Sequence, residues 1–205
     1  MTPTPSGDRL DAQLAFVLEA DRLKQVERRG TLADGSRRER TAEHSWHLSL
    51  MAMVLAEHAA EPIDVLRALE LVIVHDLVEI DAGDTFVYDE AGQDDKAERE
   101  QAAADRIFAL LPADQAARFR ALWDEFEARE TCEARFAASL DRLSPLMLNH
   151  AAEGAVWQEH GITADQVRAR NEHIAVGAPE LWQAARRLIA DSVDRGYLED
   201  VTDTG

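Results

Sequence analysis

Cys132 is the only cysteine among 205 residues. It permits no internal disulfide, which fits a reducing compartment. Long apolar runs are missing too: no stretch suits a membrane span, and residues 1–7 hold no signal-peptide core. Basic residues are scarce, 22 against 40 acidic ones, for a net charge of −18. That balance argues against a nucleic-acid polymer or an anionic membrane as partner, since both attract basic surfaces. A small anionic substrate stays open, because a local cation and a few arginines can outweigh a distant field. There is no strand pattern of any length, no repeat, no glycine-rich phosphate loop and no CxxC pair. The chain reads as soluble, cytoplasmic and all-α.

What is present is an apolar fraction of 46%, ordinary for a globular chain with a sizeable core. The reading is one domain over residues 8–196, with flexible termini at 1–7 and 197–205. Leu10, Leu14, Phe16, Val17 and Leu18 predict an amphipathic helix capped by Asp8 and running toward Lys24. Residues 27–40 form an arginine-rich, irregular connection. Most of its arginines read as solvated, and one or two could turn inward onto a phosphate. Thr41 is placed as the cap of a second helix, in which Leu48, Met51, Val54 and Leu55 give the buried face. Pro62 opens a third helix over 63–79, and the Gly- and Asp-rich residues 80–92 cannot extend it. Helices then follow over 94–111, from Pro112 onward, over 133–147 with Pro145 disturbing it, over 163–173, and after Pro179. The acidic end from Asp191 is expected to fray.

The chemistry concentrates in Leu71-Val72-Ile73-Val74-His75-Asp76-Leu77-Val78-Glu79. Apolar residues bracket His75-Asp76 on both sides, and a buried charged pair needs a partner. A divalent cation is the simplest one. On a helix Glu79 projects from the same side as both. His44 adds an imidazole and Asp141 a carboxylate among apolar neighbours; locally Asp141 reads equally as an ion-pair partner of Arg142 or Arg135, or as a metal ligand. His47 and His58 read as ordinary surface or satisfied histidines. Asp84 is either a solvated loop carboxylate or a second acid/base.

The order His44 … His75-Asp76 … Asp141, each part on a different helix, resembles the HD-domain superfamily of metal-dependent phosphohydrolases. Arg22-Leu23-Lys24 with Arg28, Ala42-Glu43-His44-Ser45, His75 to Glu79, Gly83-Asp84, and Glu133-Ala134-Arg135-Phe136 with Leu140-Asp141 resemble its 5'-deoxynucleotidase branch, over about residues 10–148. The resemblance implies a single helical HD-domain bundle, to which the helices of about 150–196 are additional. It implies one divalent cation (Mn, Co, Fe, Ni, Zn or Mg) held by His44, His75, Asp76 and Asp141. Two imidazoles with two carboxylates suit such a metal on their own chemistry. It further implies hydrolysis of a nucleoside 5'-monophosphate, with Glu79 and Asp84 catalytic and Arg28 on the phosphate. Lys24 and Arg37 are possible helpers. The residue after Arg28, where a tryptophan against the base would be expected, is Arg29. The resemblance also allows a homodimer. Within the superfamily a phosphodiesterase or another phosphomonoesterase is the alternative, and outside it a non-catalytic helical binding protein.

Overall fold

The structure is a computed structural model describing residues 6–89, 92 and 94–200. Its helices are α1 (Ser6–Ala20), α2 (Thr41–Leu55), α3 (Val65–Val74), α4 (Glu79–Ala82), α5 (Lys96–Phe108), α6 (Ala113–Ala128), α7 (Cys132–Ala151), α8 (Ala155–His160), α9 (Ala164–Asn171), α10 (Ile174–Gly177) and α11 (Pro179–Asp194). Tight 3-10 turns occupy Asp21–Gln25, Ala56–His58 and His75–Val78. The all-α reading holds with one addition. β1 (Glu27–Thr31) pairs antiparallel with β2 (Arg38–Arg40), Glu27 opposite Arg40 and Thr31 opposite Arg38. The expected irregular loop without strands is therefore corrected. The usual period-two apolar signal is missing because these strands turn charged side chains inward, Arg28 from β1 and Glu39 from β2.

The helix positions that carry the core also carry the polar groups. On α2 the buried residues are Thr41, His44, Ser45, Leu48, Met51 and Ala52. That is the i, i+3, i+4, i+7 spacing of a single stripe, so His44 is carried inward with Leu48. On α3 the stripe Ala68, Leu71, Val72 continues to His75. On α7 it runs Ala134, Ala137, Ala138, Asp141 and Ser144. α7 is packed by α2, α3, α6, α10 and α11, which brings the three stripes together.

Several helix ends differ from expectation. Thr41 does not cap α2. Arg40 occupies that place, and its backbone N–H donates to Glu43 at 3.0 Å, which frees the Thr41 hydroxyl for the interior. α3 starts at Val65, because the Asp64 carboxylate accepts from Leu66 N and Arg67 N and Pro62 lies outside the helix. The third helix also does not run unbroken to Glu79; it tightens at His75–Val78 before α4. α1 begins at Ser6, and Leu10, Leu14, Val17 and Leu18 lie exposed, with only Phe16 buried, edge-on to Phe119 at 5.4 Å. Of the face expected on α2, Val54 is exposed. α11 persists to Asp194, Leu198 is buried, and Glu199 O accepts from Ala164 N at 2.8 Å. The chain is thus anchored through residue 200, against the expected fraying. Residues 1–5 and 201–205 lie outside the described residues.

Candidate metal centre and active site

One ligand atom from each of His44, His75 and Asp141 lies within 4.8 Å of the others. The Nε2 of His44 is 3.1 Å from Asp141 Oδ1, and the Nε2 of His75 is 3.8 Å from the same oxygen. Asp76 stands beside this triad, one oxygen 3.0 Å from His75 Nε2 and the other 3.9 Å from His44 Nε2. Of the two partners considered for Asp141, Arg142 is near at 3.7 Å, whereas Arg135 pairs with Glu61. Asp141 thus faces both the imidazoles and a guanidinium.

The donors fit a cation. His75 Nδ1 is 3.0 Å from the Val72 carbonyl, so in the neutral ring Nδ1 carries the proton and Nε2 has the lone pair a metal needs. That Nε2 is buried and makes no directed hydrogen bond, despite the carboxylates around it. His44 Nδ1 is likewise buried without a hydrogen bond, with Glu39 Oε2 3.5 Å away. A carboxylate behind an imidazole fixes the ring and raises its basicity toward a metal. Around the centre five carboxylates (Glu39, Asp76, Glu79, Asp84 and Asp141) face, among the described residues, two guanidiniums, Arg28 and Arg142, and the imidazoles of His44 and His75. That surplus of buried negative charge is what a divalent cation offsets. Burial by itself would lower the His75 imidazole; Asp76 and Asp141 outweigh it and raise the group to about 9.

Glu79 is buried and outside the triad. Its Oε2 accepts from the Thr41 hydroxyl at 2.8 Å. Burial, reinforced by Asp76 and opposed by Arg28, holds its carboxyl well above the usual range. In a 3-10 turn residues i and i+3 eclipse, so Asp76 and Glu79 share a side. Arg28 Nη1 reaches both, at 3.1 and 3.6 Å, and Asp84 at 3.6 Å. Burial would lower the guanidinium, but those carboxylates more than compensate and keep it charged. Asp84 returns toward Arg28 because Gly83 takes φ +73°, ψ 160°, a conformation open to glycine. Asp84 also accepts from Arg29 N at 3.2 Å.

The structure thus brings together His44, His75, Asp76, Asp141, Glu79, Asp84 and Arg28. It leaves out Lys24, exposed and paired with Asp21, and Arg37, exposed and paired with Glu43. His47 lies away from the centre, stacked on Trp46, and His58 pairs with Glu180. Sequence reasoning missed Glu39 and Thr41. Glu39 sat in what read as a loop, and Thr41 had a plausible capping role. A cleft leads away from the centre, with about 720 Å³ of space free of protein atoms, part of it open to solvent. Arg28, Glu39 and Asp84 form one end, and α7, α8, α9 and the residues after Asp84 form the rest.

A family model described as an HD domain matches residues 20–182. The chain is 30% identical over 145 residues to 5'-deoxynucleotidase HDDC2 of Homo sapiens, covering 70% of each chain. It is 29% identical over 126 residues to 5'-deoxynucleotidase hdd1 of Schizosaccharomyces pombe, covering 59% of this chain and 62% of the other. A crystal structure of a predicted metal-dependent phosphohydrolase from Magnetospirillum magnetotacticum superposes with a TM-score of 0.91 at 51% identity, over 97% of this chain and 100% of the other.

Proposed function

As this chain belongs to the HD domain family, we propose that it is a divalent-metal-dependent phosphomonoesterase. Its substrates are (deoxy)ribonucleoside 5'-monophosphates, which it hydrolyses to nucleoside and phosphate. The observation that carries this is the convergence of His44, His75 and Asp141 beside Asp76 and Arg28, the last of which also lines the neighbouring cleft. The similarity to the 5'-deoxynucleotidases HDDC2 and hdd1 supports the nucleotide part of the reading.

His44, His75 and Asp141 hold the metal, with Asp76 as the fourth ligand. When bound, a divalent cation there polarises a phosphoryl oxygen and acidifies a water. Arg28, ringed by carboxylates, trades part of those contacts for phosphate oxygens, to which its planar fork is suited. Glu79, aimed by Thr41 and set beside Asp76, takes the proton of the attacking water. Asp84, beside Arg28, handles the proton of the leaving oxygen. Glu39 orients His44 from behind. The test is phosphate release from deoxy- and ribonucleoside 5'-monophosphates, diesters and other phosphoesters with several divalent metals. Release from diesters but not from monoesters would replace this reading with a phosphodiesterase.

No described helix is long and apolar enough to cross a membrane. With Cys132 unpaired, a cytoplasmic setting is part of the proposal. So is a homodimer. Leu10, Leu14, Val17 and Leu18 on α1, and Trp46, Leu50, Met53 and Val54 on α2, are two exposed apolar stripes with the same i, i+4, i+7, i+8 spacing. A second copy of the chain is the occupant the family suggests, and sedimentation of the wild type against Leu14→Glu and Val54→Glu variants checks it.

A further inference from the structure

Asp141, Pro145 and Asn149 are spaced i, i+4, i+8 on α7, so they stand in one row on that helix. At 1.5 Å per residue, Asn149 lies about 12 Å further along the axis than Asp141. Pro145 and Asn149 both line the cleft that leads from the metal centre. Asn149 is 7% exposed, and its Nδ2 donates to the Pro145 carbonyl at 3.0 Å. That bond fixes the amide's orientation, because the reverse would set two acceptors face to face. Asn149 Oδ1 is left buried with no donor. Buried carbonyls without partners are rare in folded proteins, and one beside a cleft points to a ligand.

The surroundings match that reading. Trp157 and Tyr88 line the same end of the cleft, and the Tyr88 hydroxyl is hydrogen-bonded to the Asn171 side chain. Arg170 stands exposed at the edge, and among the described residues it makes no ion pair, although most arginines of this acidic chain do. The distal end therefore combines one free carbonyl acceptor, an unengaged guanidinium donor and two aromatic rings. Such a set recognises a planar heterocycle and its sugar rather than a second phosphate, which would find no use for the carbonyl.

We propose that Asn149 and Arg170 are specificity-determining residues that hold the nucleoside part of the substrate. Asn149 Oδ1 accepts a hydrogen bond from a base N–H or a sugar hydroxyl, and Arg170 donates to an acceptor on the same moiety. Oδ1 is buried in this structure, so a ligand donor reaches it through a local movement of its surroundings. This rests on the phosphomonoesterase reading and makes the helices after residue 150 part of the site rather than an appendage.

The experiment measures kcat and KM of the full-length, metal-loaded protein on deoxynucleoside 5'-monophosphates, 2-deoxyribose 5-phosphate, a 2',3'-dideoxynucleotide and p-nitrophenyl phosphate. Wild type, Asn149→Ala and Arg170→Ala are compared, with melting temperatures alongside. Arg170 is exposed and unpaired, so its variant keeps the test alive if Asn149→Ala fails to fold. The expected result is a fall of about 10-fold in kcat/KM on nucleotides relative to p-nitrophenyl phosphate, mostly through KM. Loss confined to substrates with a base assigns the donor to the base. Loss on deoxyribose 5-phosphate but not on the dideoxynucleotide assigns it to the sugar 3'-hydroxyl. An equal loss on all esters, or none in either variant, overturns the assignment. A wild type that releases phosphate only from p-nitrophenyl phosphate overturns the nucleotide reading itself, and the assignment with it.

Discussion

The two ends of the cleft are built differently. At the metal end, His44, His75 and Asp141 are polar residues set into the buried stripes of three helices, and each is answered by another charged group within 4 Å. At the distal end Tyr88, Asn149, Trp157 and Arg170 come from a loop and three helices, with a free carbonyl and a free guanidinium among them. The first end is organised around a charge it must neutralise, so its groups are locked by one another. The second is organised around a ligand and holds groups that wait for it. Chemistry and selectivity are thus separable along α7.

Four substitutions and a titration probe that separation, from strongest to weakest. Glu79→Gln keeps the shape and removes the proton acceptor; kcat on a nucleotide should fall about 10²–10⁴-fold while bound metal stays. Loss of the metal instead would make Glu79 a ligand. Arg28→Ala should cost about 10²-fold in kcat/KM, from a lost charge-assisted phosphate contact and from the carboxylates left unopposed. Glu39→Gln should weaken metal affinity about 10–100-fold with the four ligands intact, read by competition with a chelator. Thr41→Val removes one hydrogen bond to Glu79 and should lower kcat only about 3–10-fold. A larger effect than that of Glu79→Gln would reverse the ranking of the two residues.

The titration concerns the metal-free protein. His75 is raised to about 9 by Asp76 and Asp141 against the burial that lowers it. Its ordinary value is about 6.5. The protonated pair therefore stabilises the metal-free fold fully below pH ~6.5, and that contribution is lost as pH rises to about 9. Metal needs the neutral imidazole, so binding at pH 7.5 should release a proton and at pH 10 should not. Calorimetry in buffers of different ionisation enthalpy reads this directly.

The same contrast explains what the amino-acid sequence made legible. His75-Asp76 announced itself because two charged residues interrupt an apolar run, and helical spacing carried Glu79 to the same side. His44 and Asp141 followed from position among core residues together with a family resemblance. The β1–β2 hairpin was not legible, since its inward residues are Arg28 and Glu39 and a buried ion-pair network leaves no alternating apolar pattern. Thr41 was hidden by a plausible capping role that Arg40 and Glu43 fill. The apolar residues of α1 suggested a packed face, yet Leu10, Leu14, Val17 and Leu18 are exposed, because periodicity reports a stripe and not its partner. Asn149 and Arg170 carried no local signal at all. Their meaning lies in an unsatisfied carbonyl and an unpaired guanidinium, which only three-dimensional packing exposes.

The most direct test of the central claim is the metal content of the purified full-length protein and of Asp141→Ala, each measured after incubation with Mn or Co and removal of free metal. The account predicts close to one divalent cation per wild-type chain and its loss, together with nucleotide hydrolysis, in the variant. A wild type that retains no metal, or an Asp141→Ala protein that retains as much as wild type, would contradict it.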